Sequence, residues 1–114
     1  MRLVSRLDHL LGNLLLLAAD DYADCRLDAR LGPARVTVIR ARRAALAGRP
    51  DELLTLLPVG GPAGGVTTVG LRYPLHEAEL LPGVTWGVSN RFGGTEAAVT
   101  VRNGVLLAIQ PGPE

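Results

Sequence analysis

Gly65-Val66-Thr67-Thr68-Val69-Gly70-Leu71-Arg72-Tyr73-Pro74-Leu75, a short polar connection, then Thr85-Trp86-Gly87-Val88-Ser89-Asn90-Arg91-Phe92 is the stretch that decides the fold. Val66 to Val69 are all β-branched, which suits a pleated, half-buried surface. Gly70 and Gly87 interrupt strand-like runs, where glycine marks a bulge or a close approach by a ligand or another backbone. Pro74 has no N–H for a ladder and ends the first run or places it at an edge. Three of the four aromatic residues fall inside this stretch. Two strands with small residues facing an aromatic ring make a shallow pocket for a flat molecule.

The same residues carry a family resemblance. Val66-Thr67-Thr68-x-Gly70-Leu71-Arg72-Tyr73-Pro74-Leu75 followed by Gly87-Val88-Ser89-Asn90-x-Phe92 resembles the C-terminal thiamine-binding domain of thiamine diphosphokinases (thiamine pyrophosphokinases). Upstream, Arg6-Leu7-Asp8-His9-x-x-x-Asn13-Leu14 resembles the Gly-Gly-Arg-x-Asp-His segment that closes the catalytic domain of that family, with Val4-Ser5 in place of the glycine pair.

Outward from that stretch, the C-terminal half reads as β structure. Eleven of the 14 glycines lie at or after Gly60. Val59 to Gly65 reads as a Gly/Pro loop. Thr95 to Arg102 alternates, and Asn103-Gly104 is a strong hairpin signal with Val105 to Ile109 as the return strand. Toward the N-terminus, Ala34 to Arg40 is a strand introduced by a Gly32-Pro33 turn. Pro50 to Leu57 has a proline and acids where a helix would start, but Pro58 stops it early and the resemblance favours a strand.

Leu3 to Ala19 carries leucines at helical spacing on more than one face. Ser5 can cap this helix, and Asp8 sits where a carboxylate favours the helix start. Asp8, His9 and Asn13 interrupt what would otherwise read as a secretory core, and the apolar run is too short to cross a bilayer. The expected fold is therefore mainly β. It is an antiparallel β-sandwich of six or seven strands over residues 21–114, preceded by one helix in residues 1–20 left over from an α/β catalytic domain.

Composition excludes several chemistries. The 114 residues suffice for one domain with its own core. A net charge of +1 makes no case for nucleic-acid binding. All 12 basic residues are arginines, which excludes a lysine Schiff base and a P-loop lysine within the sequence. Cys25 is the single cysteine, which rules out an internal disulfide and fits a reducing, cytoplasmic setting. Arg40, Arg42 and Arg43 read as a solvated rim.

The resemblance implies a pyrophosphoryl transfer from ATP to the hydroxyl of thiamine, with Mg and ATP held mainly by acidic motifs of an upstream domain outside this sequence. It implies a homodimer, with thiamine near the subunit contact, no nucleic acid and no membrane. It assigns Tyr73 as a wall or stacking partner for thiamine, Ser89 and Asn90 as hydrogen-bonding groups, Gly87 and Thr68 as further site positions, and Asp8 as a catalytic-domain residue that orients substrate or metal ligands. On position alone each has a plainer role: Ser89-Asn90 as a turn pair, Tyr73 as sheet cover, Trp86 as core, His76 as a loop residue, Asp8 as a helix-start residue. The reading this supports is the thiamine-binding portion of a kinase, inactive alone. A non-catalytic binding or dimerisation module from that family is the alternative, and an unrelated β-sandwich interaction domain ranks third.

Overall fold

The structure, a computed structural model, describes residues 27–31, 33–82 and 89–112. The expected helix of residues 1–20 lies outside the described residues. So do Gly87 and Trp86.

Eight strands run in chain order: β1 Leu27–Leu31, β2 Ala34–Arg40, β3 Arg43–Ala47, β4 Leu53–Val69, β5 Ala78–Leu80, β6 Ser89–Arg91, β7 Glu96–Thr100 and β8 Asn103–Gln110. Every pairing among them is antiparallel, in the order β1-β2-β8-β4-β7-β3, with β5 and β6 also on β4. The mainly β, antiparallel expectation holds, but eight strands form one continuous, nearly barrel-shaped sheet in place of the expected sandwich of six or seven strands; no helix occurs among the described residues.

β4 joins the two halves of the molecule. Its first part pairs with β8 at Thr55–Val59 and with β6 at Leu53–Thr55. Its second part pairs with β7 at Thr67–Val69 and with β5 at Ala63 and Val66. Between them the register slips, and Gly60 (φ 75°) and Gly65 (φ 62°) adopt the left-handed conformation that glycine reaches without a Cβ clash. The expected Gly/Pro loop at Val59 to Gly65 is thus a bent corner of one long strand. A strand that bends at bulges and changes sheets is how two sheets meet at a corner. Pro58 sits within β4 opposite Leu106; β6 reaches only Thr55, so among the described residues no strand on the far edge misses its N–H.

The Asn103-Gly104 hairpin is corrected. β7 pairs with β3 and β4, β8 pairs with β2 and β4, and Asn103 lies opposite Gly64. The Val101 and Arg102 N–H groups bond to the Arg42 and Gly64 carbonyls as the chain passes from one sheet to the other. Local turn chemistry lost because each strand buries its apolar face in a different sheet.

Alternation along the strands builds the core inside the curved sheet. Leu54 and Leu56 of β4, Ile39 of β2 and Leu106 of β8 meet Leu46, Val66, Val99 and the ring of Phe92 in one buried cluster. Burial of each large apolar side chain is worth roughly 1.5–3 kcal/mol. A second cluster, Val36, Val38, Val105 and Leu107, lies apart from the first.

Candidate functional site

The threonine pair at the end of β4 shapes a loop. Thr68 Oγ1 accepts a hydrogen bond from the Leu75 N–H at 2.8 Å, and the Thr68 N–H donates to the Leu75 carbonyl at 2.9 Å. Thr67, on the other face, accepts from the Glu77 N–H at 3.1 Å. Successive residues of a strand point to opposite faces, so the two hydroxyls grip the returning loop at two points.

Gly70 starts the loop with φ 86°. A Cβ there would strike the Glu96 carbonyl oxygen. The loop then runs beside the chain after β6. Leu71 bridges Phe92, the Arg72 N–H bonds the Arg91 carbonyl at 2.8 Å, and the Gly93 N–H bonds the Gly70 carbonyl at 2.8 Å. The Arg72 guanidinium pairs with Asp51 across exposed surface, a contact worth little by itself.

Asn90 closes the arrangement. Its Oδ1 accepts from the Tyr73 N–H at 3.1 Å and from the Arg91 N–H at 2.9 Å, while its Nδ2 donates to the Tyr73 carbonyl at 2.7 Å. Asn90 and Thr68 are buried, 3% and 5% exposed, and their side-chain hydrogen bonds go to backbone. Tyr73, by contrast, is 61% exposed, and Ser89 is also exposed.

The structure therefore brings Thr68, Tyr73 and Asn90 together in one loop, which Thr68 and Asn90 fix. Ser89, next to Asn90 on β6, and Tyr73 are exposed. Asp8 and Gly87 lie outside the described residues. Sequence reading passed over Thr67 and the Arg72–Asp51 pair; the adjacent threonines before a loop that returns within ten residues were the available signal for Thr67.

A cleft of about 620 Å³ opens beside this surface, lined among others by Arg35, Arg49, Glu52, Arg91 and Gln110. None of the four site residues lines it. Gln110 donates from Nε2 to the Ala47 carbonyl at 2.8 Å and to Glu52 at 3.2 Å, tying the end of β8 to the β3–β4 turn. Among the described residues no group of three or more His, Cys, Asp or Glu side chains is placed to hold a metal ion. The described part does not fit a metal site.

The fold and these contacts define an antiparallel β domain with an exposed tyrosine on a loop fixed by buried polar groups. Residues 42–106 match the family model described as thiamin pyrophosphokinase, vitamin B1 binding domain, and the chain belongs to that family as a C-terminal thiamine-binding domain. It is similar in structure to thiamin pyrophosphokinase from Geobacillus thermodenitrificans, at 25% identity and a TM-score of 0.80, over 95% of this chain and 50% of that one. It is likewise similar to thiamine pyrophosphokinase from Bacillus subtilis, at 18% identity and a TM-score of 0.81, over 95% of this chain and 51% of that one. The match to thiamin pyrophosphokinase from Candida albicans has 13% identity and a TM-score of 0.70, over 91% of this chain and 40% of that one. At these lower identities the likeness establishes the fold. The chain spans about half the length of the bacterial structures it matches. No curated protein matches the sequence.

Proposed function

We propose that this chain supplies the thiamine side of a thiamine diphosphokinase site, with Tyr73 and Ser89 as the contact residues and Asn90 and Thr68 as the groups that position them. The observation that carries the reading is the two-sided hold of Asn90 on the Tyr73 backbone, inside the region that matches the vitamin B1 binding domain. Thiamine carries a cationic thiazolium and a flat aminopyrimidine. An exposed tyrosine ring offers a face to either, and a serine hydroxyl can donate to or accept from the pyrimidine edge. Gly87 and Asp8 keep the site roles that the resemblance gives them.

Transfer of the pyrophosphoryl group from ATP needs metal-held phosphates and a positioned hydroxyl. Mg and ATP belong, in this reading, to residues beyond the described ones, and 1–20 and 21–114 are the two parts of the domain division it carries. A cytoplasmic homodimer, with the thiamine surface near the subunit contact, completes it. The second reading is a non-catalytic binding or dimerisation module of the same family.

Calorimetric titration of the chain with thiamine, with and without Mg-ATP, tests the proposal. Saturable binding that weakens in Tyr73→Ala and Ser89→Ala supports it. A folded chain that binds no thiamine, alone or joined to a catalytic domain, overturns it. Light scattering separately measures the dimer.

A further inference from the structure

The cleft beside Gln110 has no part in the thiamine reading. The turn from Gly48 to Glu52, between β3 and β4, forms one of its walls. That turn is closely bonded. The Asp51 N–H donates to the Phe92 carbonyl and the Phe92 N–H to the Glu52 carbonyl, both at 2.9 Å. The Gly48 N–H donates to the Thr95 carbonyl at 2.9 Å and the Glu52 N–H to the Arg49 carbonyl at 3.0 Å. The Arg49 N–H donates to Glu52 Oε1 at 3.0 Å, and Pro50 has no N–H to give. The backbone donors of this wall are thus all in use. Gln110, 5% exposed, lines the cleft too, and its Oε1 meets no donor among the described residues.

Charge in the cleft is unevenly committed. Arg35, Arg49 and Arg91 line it together with Asp51 and Glu52. Both carboxylates are engaged. Glu52 accepts from the Arg49 N–H and from Gln110 Nε2, and Asp51 pairs with Arg72, which is not among the lining residues. Arg35 adds its positive charge opposite Gln110 in register. Arg91 is half-buried, and its Nη1 donates to the Asp51 carbonyl at 2.8 Å. That bond steadies the guanidinium over the turn and leaves the rest of its N–H fork open. Arg49 is exposed, and its guanidinium has no partner among the described residues. The donors left to a ligand are therefore the guanidinium groups of Arg49 and Arg91.

Guanidinium forks match the oxygens of phosphate and carboxylate groups. A phosphate ester brings about 1.5 to 2 negative charges near neutral pH, more than a carboxylate, and answers more than one arginine. At about 620 Å³ the cleft falls within the roughly 300–1,000 Å³ of small-molecule sites, too roomy for a bare ion. Pro50 and Leu53 add an apolar wall. We propose that this cleft binds a small phosphomonoester, with its phosphate on Arg49 and Arg91 and its carbon frame against Pro50 and Leu53. The site is distinct from the thiamine surface. Thr68, Tyr73, Ser89 and Asn90 do not line it, and its arginines repel a cationic thiazolium.

Titration of the chain with phenyl phosphate and, separately, with inorganic phosphate tests it, at low salt and without thiamine. The arginine Nε–H resonances report the contact. Saturable shifts at Arg49 and Arg91 are expected, with phenyl phosphate the tighter of the two. Arg49→Gln removes one fork, and Arg91→Lys keeps the charge but loses the fork; each is expected to raise the Kd for phenyl phosphate by about tenfold or more. Arg49 is exposed, so Arg49→Gln is expected to keep the wild-type urea midpoint. Arg43 does not line the cleft, and Arg43→Gln is expected to change the Kd by less than about twofold, as a screened surface charge does. Shifts that never saturate overturn the proposal. So does binding that weakens as much in Arg43→Gln as in Arg49→Gln, which would be a general attraction to arginines. Phenyl phosphate bound no more tightly than inorganic phosphate overturns the ester assignment.

Discussion

Asn90 holds Tyr73 by both ends of one peptide residue: its Oδ1 takes the Tyr73 N–H at 3.1 Å and its Nδ2 gives to the Tyr73 carbonyl at 2.7 Å. The asparagine side chain thereby does the work of a missing strand neighbour, and the exposed ring of Tyr73 stands on a backbone fixed from beneath. The amide orientation follows from its partners, since an N–H needs an acceptor and a carbonyl needs a donor.

Removing that clamp is costly for folding. Asn90→Ala leaves the Tyr73 N–H and carbonyl and the Arg91 N–H without their partner at a buried position. The expected loss is about 2–4 kcal/mol, read as a lower urea midpoint. Asn90→Asp keeps the acceptor, loses the donor to the Tyr73 carbonyl and is destabilised as well.

The threonine pair predicts unequal effects from the same change. Thr68→Val keeps shape and strand preference but strips the acceptor from the Leu75 N–H, and is expected to cost about 1–2 kcal/mol. Thr67→Val affects an exposed bond to the Glu77 N–H and is expected to stay within about 0.5 kcal/mol. Denaturation of the two variants side by side checks the ranking.

Tyr73→Ala separates binding from folding. The side chain is 61% exposed, so stability is expected to change by no more than about 0.5 kcal/mol. Loss of an aromatic contact of about 0.5–1.5 kcal/mol raises the Kd for thiamine by roughly two- to thirteenfold. Equal thiamine affinity in the variant, measured by calorimetry, removes Tyr73 from the site.

Gly70→Ala forces a Cβ onto the Glu96 carbonyl at a left-handed φ of 86°. The expected cost is about 2–4 kcal/mol. An unchanged urea midpoint would show that the loop start relaxes freely and does not fix the Tyr73 segment.

Much of the site was legible because its residues lie within two short runs. Gly70 drew notice as a glycine inside a strand-like run, while Thr68 and the Ser89-Asn90 pair gained their site roles only through the family resemblance. Their roles were not legible. Whether Asn90 reaches a ligand or the Tyr73 backbone depends on a partner 17 residues away, and no local pattern encodes that distance. The strand Ala34–Arg40 was readable in full from its strand-favouring residues and the turn before it.

Alternation and β-branching determined, by themselves, that this chain is β-rich, because period-two burial leaves a local mark in the order of residues. Which strands pair was settled only in three dimensions. Val59 to Gly65 reads as a loop and Asn103-Gly104 as a hairpin, yet the first is the bend of β4 and the second opens a strand that pairs elsewhere. Local propensities are worth a few tenths of a kcal/mol to about 1 kcal/mol, whereas burying a strand's apolar face against the right sheet gathers several kcal/mol, so the tertiary contacts chose the partners.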